Sequence, residues 1–259
     1  MPLSDSEIHH RAGKMGRKPY ATINFLLITP LTNPLVQKID PTYTHILSIH
    51  WRTMARYRGP KNRIARRFAA NIFGKARNPM LHKQNPPGMH GAKRKKKSEY
   101  GLQLEERQKL KAVYGMISHK QLVNAYKKAL LRKGNTSQLF LEQLECRLDN
   151  VVYRLRFASS IFAAQQLVSH GHIQVNGKKV DRRSFQVVPG MVISVKPASR
   201  QLKAILMAQE YASREIPEYL TLESDKHSGA LIASPQPEQV PIPIPINIPL
   251  VCEFISHTS

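Results

Sequence analysis

Cysteine is scarce: two residues, Cys146 and Cys252, lie far apart in a chain of 259, and neither stands beside another ligand type at metal spacing. That excludes a disulfide scaffold, suits a reducing compartment, and leaves the two thiols as small core residues. Acids are scarce as well. Against 40 Lys+Arg there are 17 Asp+Glu, a formal net charge of +23 and a sequence pI near 10.3. A compact chain with that excess repels itself unless a polyanion neutralises it, so nucleic acid is the first partner to consider and an anionic membrane the second. Long apolar runs are missing: none approaches the ~18 residues a spanning helix needs. The basic residues are not confined to one amphipathic helix, which also speaks against a surface-lying membrane anchor. There is no P-loop, dinucleotide fingerprint, zinc-protease motif or nucleophile elbow. Carboxylate pairs such as Glu105 with Glu106 and Glu142 with Glu145 read as solvated helix residues rather than an acid/base pair. His170 and His172 flank a glycine, but two histidines make half a metal site at most, and a helix C-terminus accommodates histidine without metal. No enzyme, cofactor, metal or small-molecule substrate is expected.

What is present centres on residues 144–180. Leu144, Leu148, Val151, Val152 and Leu155 recur at three- and four-residue spacing, which predicts a helix over 144–157 with Arg147, Arg154 and Arg156 facing elsewhere. Ser159 or Ser160 can cap a second helix, whose apolar residues Phe162, Ala163, Leu167 and Val168 run to Gly171, a residue able to take the left-handed C-terminal conformation. The period then changes. Ile173 and Val175 alternate with His172 and Gln174, Asn176-Gly177 is a hairpin turn, and Lys178 and Lys179 follow.

R-L-D-N-V-V-Y-R (147–154), Q-L-V-S-H (166–170) and V-N-G (175–177) together resemble the RNA-binding domain named after bacterial small-ribosomal-subunit protein four. That domain recurs in several RNA-binding families. The segment before it is more specific. P-G-M-H-G-A-K (87–93) followed by S-E-Y-G-L-Q-L (98–104) resembles the ribosomal family itself, as does M-A-R-Y-R-G-P-K (54–61), and the resemblance covers residues 54–254. It implies a structural constituent of the small ribosomal subunit, cytoplasmic and in the ribosome. Its partners would be small-subunit rRNA, mRNA at the channel through which it enters, and small-subunit ribosomal protein five. The implied roles are primary rRNA binding that nucleates assembly of the subunit body, a contribution to translational fidelity, and unwinding of structured messages. Some relatives bind zinc through four cysteines in their early basic segment. With no cysteine between positions 54 and 100, that site is expected to be absent here.

Residues 54–100 hold fourteen Lys/Arg against a single acid, Glu99, so more than half the net charge sits in this arm. Its turn formers are many and its apolar residues few, so it is expected to order on RNA. Candidate RNA contacts are Arg56, Arg58, Lys61, Arg63, Arg66 and Arg67, then the basic run Lys93, Arg94, Lys95, Lys96 and Lys97, which the resemblance sets toward the mRNA channel. In the later domain they are Arg147, Arg154, Arg156, His170, Lys178 and Lys179. Two departures remove others: Ile161 and Gln165 stand where relatives carry cations, and Ile232-Ala233-Ser234 replaces a basic run.

The expected fold is α+β: a helical bundle domain, an RNA-binding domain of two helices packed on a small, mainly antiparallel sheet, and a basic irregular N-terminal arm. Residues 1–53, interrupted by prolines and without sustained period, are expected to be an extension foreign to the family or a start assigned too early. The arm spans 54–100, the helical domain 101–145 and the RNA-binding domain 146–198. Within the helical domain, 103–114 and 118–132 read as helices, the latter with a Ser118/Gln121 capping box and an inner face including Leu122, Tyr126, Ala129 and Leu130. A third helix starts near Asn135 and runs into the 144–157 helix. In 199–259, Ser199 is expected to cap a helix through 212 with Leu202, Ile205, Leu206 and Ala208 inward. A strand over 216–222, a proline-rich extended tail and a final strand over 250–255 follow. Two other readings share the RNA-binding module: an RNA-modifying enzyme such as a pseudouridine synthase, for which no length remains to build a catalytic sheet, and a stand-alone RNA-binding factor, which leaves the PGMHG arm unexplained.

Overall fold

The computed structural model describes residues 57–258, except 58, 76, 77, 79, 82, 94, 95 and 211–213. The expectations for residues 1–53 lie outside these described residues, as do those for Arg56, Arg58, Arg94 and Lys95.

Capping side chains fix where most helices start. Helix α1 (Lys61–Arg67) follows Pro60 without a side-chain cap. Ser98 Oγ accepts the Gly101 N–H at 3.2 Å and opens α2 (Glu99–Val113). Ser118 Oγ accepts the Gln121 N–H at 3.3 Å and opens α3 (His119–Leu130), and Asn135 Oδ1 accepts the Ser137 N–H at 3.0 Å to open α4 (Thr136–Glu145). Each such cap is worth about 1 kcal/mol, because it satisfies an amide the helix cannot. Leu110, Leu122, Tyr126, Ala129, Phe140 and Leu144 from these helices share one core. Leu130, expected on the inner face, is 53% exposed.

The long helix expected from Leu144 onward is broken. α4 ends at Glu145, Arg147 takes an extended conformation and bridges Gln186, and the Cys146 carbonyl accepts the Val187 N–H at 2.8 Å. Only then does α5 (Leu148–Arg154) begin, its first N–H bonded to the Phe185 carbonyl at 2.8 Å. A tertiary strand-like pairing therefore outcompetes helical periodicity at this point. Ser160 caps α6 (Ile161–Ser169), accepting the Ala163 N–H at 3.3 Å, and Gly171 follows at φ +72°.

β1 (Ile173–Val175) and β2 (Lys178–Lys179) form the hairpin around Asn176 (φ +47°) and Gly177 (φ +77°), the two positive angles that favour Asn-Gly. With β3 (Val192–Val195), β4 (Leu220–Leu222) and β5 (Ser228–Leu231) they make a five-stranded antiparallel sheet in the order β2-β1-β3-β5-β4. Ile173, Val175, Ile193, Val195 and Leu231 pack against Val151, Val152, Leu155, Leu167 and Val168 of α5, its C-terminal end and α6. The α+β class is as expected: helices on one side, a small antiparallel sheet on the other.

Three elements of the C-terminal part differ from expectation. Ser199 caps no long helix: it closes a 3-10 turn (Pro197–Ser199), and helix α7 (Lys203–Glu210) buries Ile205 and Ala208 but leaves Leu202 and Leu206 exposed at 38% and 46%. β5 was not anticipated. The expected last strand is helix α8 (Ile248–Thr258), whose Val251, Cys252 and Ile255 lie on one side and enter the helical core. Between the sheet and α8, exposed Pro241, Pro243 and Pro245 alternate with Ile242, Ile244 and Ile246, the isoleucines turned against the helices. Proline loses nothing by facing water there, having no N–H to satisfy. The arm is largely irregular, yet not coreless: Ile72 and Phe73 are buried with Ala112 and Ile244, and the Phe73 and Phe162 rings lie 5.4 Å apart.

Candidate nucleic-acid interface

Cations of the later domain divide into those that face inward and those that face water. Arg147 and Arg154, expected as phosphate contacts, belong to the first group. Arg147 is 6% exposed and grips Asp149 with two parallel bonds of 3.1 and 3.0 Å. Arg154 bonds the Glu145 carboxylate through Nε at 3.3 Å and a terminal nitrogen at 3.0 Å, while its other end donates to the Pro241 carbonyl at 2.9 Å. Both guanidiniums are committed to internal partners because leaving either carboxylate unpaired in the core would be costly.

Glu145 is the hub of this network rather than a solvated helix residue. It also accepts the Tyr114 hydroxyl at 2.6 Å, the Tyr219 hydroxyl at 3.1 Å and the Asn150 amide. Burial alone would push its carboxyl up, but Arg154 and these hydrogen bonds outweigh it and hold the group below the ordinary glutamate range. Burial likewise opposes charge on Arg154, and Glu145 reverses that and raises it. Burial and the Glu145 charge together push the Tyr114 hydroxyl far up. Asp149 is shared as well. The Gln165 amide donates to it at 3.3 Å and to the Gly115 carbonyl at 3.2 Å, and the Gln165 carbonyl accepts from Arg183 at 3.3 Å. Ile161 and Gln165, which replace cations of relatives, are 4% and 9% exposed, so both positions serve the interior here.

The second group faces solvent. Lys178 and Lys179 are exposed on the hairpin, and His170 is exposed at the end of α6. His172 is turned away: its Nδ1 lies 2.9 Å from Ser199 Oγ, and burial with the neighbouring His170 and Lys196 lowers its pKa. The two imidazole rings are 6.0 Å apart, and among the described residues no three ligating side chains gather as a metal site would need. Arg156 stands at φ +64° just past α5, half-buried, with its Nε enclosed and unpartnered. On the arm, Arg63 and Arg67 are exposed, whereas Arg66 donates to the Asn85 carbonyl at 3.2 and 2.8 Å and pins the following loop. Lys61 lies 3.7 Å above the Phe162 ring, linking the arm to α6. Lys93, Lys96 and Lys97 are exposed, and Lys97 pairs with Glu105.

Sequence reasoning passed over Arg107 and Lys111, one turn apart on α2; the i, i+4 spacing was visible but hidden by the adjacent Glu105 and Glu106. It also passed over Arg214, which donates to the Ala158 and Ser159 carbonyls at 2.9 and 3.2 Å and lies 3.9 Å over the Tyr153 ring.

Two family models and a set of relatives match this chain. The family model described as ribosomal protein S4/S9 N-terminal domain matches residues 56–145, and that of the S4 domain matches residues 146–193. The chain is 64% identical over 206 residues to the small ribosomal subunit protein uS4 of Protochlamydia amoebophila (strain UWE25), covering 80% of this chain and 100% of that protein. It is 61% identical over 207 residues to uS4 of Chlamydia muridarum and 59% to that of Chlamydia pneumoniae, each match covering 79% of this chain and 99% of the relative.

Proposed function

The chain belongs to the small ribosomal subunit protein uS4 family, and from that premise we propose how its cations are put to use. It is a structural, non-catalytic constituent of the small ribosomal subunit that binds the subunit's rRNA, and it resides in the cytoplasm as part of the ribosome. The observation that carries the mode of binding is the division just described. Buried carboxylates take Arg147 and Arg154, while Arg63, Arg67, Lys93, Lys96, Lys178 and Lys179 are left on the surface. The hairpin lysines stand on β2, paired with β1 at the edge of the sheet, and the arm supplies cations on a more irregular backbone. Shape and phosphate spacing of a folded rRNA junction are then matched without reading base edges.

In this account the protein is a primary rRNA binder that nucleates assembly of the subunit body. The basic run around Lys93 to Lys97 lines the channel by which mRNA enters, and contact with small-subunit protein five contributes to translational fidelity. The family resemblance of the 87–104 segment supports the last two roles. Six phosphate contacts give a log–log slope of affinity against salt of roughly −4 to −5, at about −0.7 to −0.9 each. Titrating the purified protein against a small-subunit rRNA fragment at several salt concentrations tests the mode: a slope near zero would contradict it.

A further inference from the structure

Two acids of helix α2, Glu105 and Glu106, go to other partners, and among the described residues Arg107 and Lys111 of the same helix meet no carboxylate. Glu105 pairs with Lys97, and Glu106 pairs with Lys109 at 2.6 Å while accepting the Asn247 N–H at 2.9 Å. The Arg107 guanidinium lies 4.5 Å over the Phe254 ring of α8, its Nε is enclosed without a partner, and a terminal nitrogen is 3.2 Å from His119 Nδ1. A guanidinium only donates, so His119 Nδ1 is the acceptor and the imidazole proton stands on Nε2, free to donate outward. Burial lowers the pKa of all three groups; Arg107 lowers Lys111 further, and Arg107 and Lys111 together lower His119 further. Fixed cations crowded without an acid favour an anion brought from outside.

Beside these cations lies a cleft of about 290 Å³ walled by Tyr57, Ile64, Phe68 and Met116. That is just below the roughly 300–1,000 Å³ of a small-molecule pocket, and it pairs an apolar, aromatic slot with a cationic rim. One nucleotide has the same two-part chemistry: a charged phosphate and a flat base that stacks on aromatic side chains. We propose that Arg107, Lys111 and His119 grip one backbone phosphate of the bound RNA, and that the cleft between α1 and α2 receives the adjoining base, turned out of its stack. This rests on the rRNA-binding reading and adds to it a defined single-nucleotide site away from the hairpin.

Ultraviolet cross-linking of the full-length protein to a small-subunit rRNA fragment, followed by peptide mass spectrometry, tests it. The expected result is a nucleotide attached to a peptide containing Tyr57 or Phe68. Lys111→Gln breaks no internal bond; it should abolish that cross-link and reduce the salt slope by about 1. Arg107→Gln should do the same, and a Lys178→Gln/Lys179→Gln variant should lower the slope yet keep the cross-link. Cross-links confined to other peptides, with an unchanged slope for Lys111→Gln, would overturn the site while leaving rRNA binding intact. Failure of the wild-type protein to bind the RNA would overturn both. Saturation of the cleft by free adenosine 5′-monophosphate without competition from the RNA would also sink the proposal, by assigning the site to a free nucleotide.

Discussion

Glu145→Gln is expected to be among the most damaging single-atom changes available in this protein. The carboxylate is 1% exposed and takes bonds from Tyr114, Tyr219, Asn150 and two nitrogens of Arg154, joining the end of α2, the end of α4, α5 and the approach to β4. Gln keeps one acceptor oxygen but turns an amide toward donors that need an acceptor, and it leaves the Arg154 charge enclosed and unpaired. Breaking a buried pair from one side costs about 3–5 kcal/mol, a large part of the 5–15 kcal/mol typical of a whole domain. At about 2–4 °C per kcal/mol for a chain of this size, Tm should fall by roughly 6–20 °C. The pH dependence carries a second signature. Glu145 titrates below the ordinary glutamate value of 4.5 in the folded protein, so its contribution is present above that pH and is lost as pH falls through the lower folded value. Glu145→Gln should therefore be less stable at neutral pH and lose less stability than wild type on acidification below about pH 4.5. Urea unfolding followed by circular dichroism at pH 7 and in that acid range measures both. A loss under 1 kcal/mol at pH 7 would refute the reasoning.

Inward and outward cations should separate by assay. Arg147→Ala should lower thermal stability with little change in salt slope, since it strands Asp149, whereas Lys178→Ala/Lys179→Ala should reduce the slope by about 2 with an unchanged melting curve. Two glycines at positive φ should differ in cost: Gly177→Ala meets open space and should lose roughly 1–2 kcal/mol from backbone conformation alone. Gly115→Ala should lose more by urea unfolding, because its Cβ would sit 2.5 Å from Gln165 Nε2 in a buried network. Burial and the nearby Glu142 and Glu145 charges push the Cys146 thiol up to about 12, so iodoacetamide at pH 8 should leave it unmodified in the native protein and label it once urea unfolds the chain.

Local chemistry was legible wherever a residue acts on its immediate neighbours. The Ser118 cap, a cap at Ser159 or Ser160, the Asn176-Gly177 turn and the alternation of β1 all follow from side chains within a few positions. Elements decided by distant partners were not. The stop at Glu145 depends on Cys146 and Arg147 pairing with Gln186 and Val187, some forty residues on. Leu250 to Ile255 is a short apolar run whose periodicity fits strand or helix equally; the opening in the helical core, filled by Val251, Cys252 and Ile255, decides for helix. β5, S-G-A-L, has no β-branched residue and is ordered by pairing between β3 and β4. For the candidate interface, sequence identified where the positive charge lies but not which cations face inward. Arg154 and Lys178 look alike in a charge count; a carboxylate nine residues before Arg154 and a fold that brings Tyr219 beside it make one a core residue.

This chain works inside the small ribosomal subunit, bound to its rRNA. Quantitative mass spectrometry of gradient-purified small subunits from the native cells measures this directly. Peptides from residues 56–258 are expected at one copy per subunit, in step with other small-subunit proteins and retained until high salt strips the RNA. Finding the protein mainly in the free fraction, with substoichiometric amounts on the subunit, would contradict it.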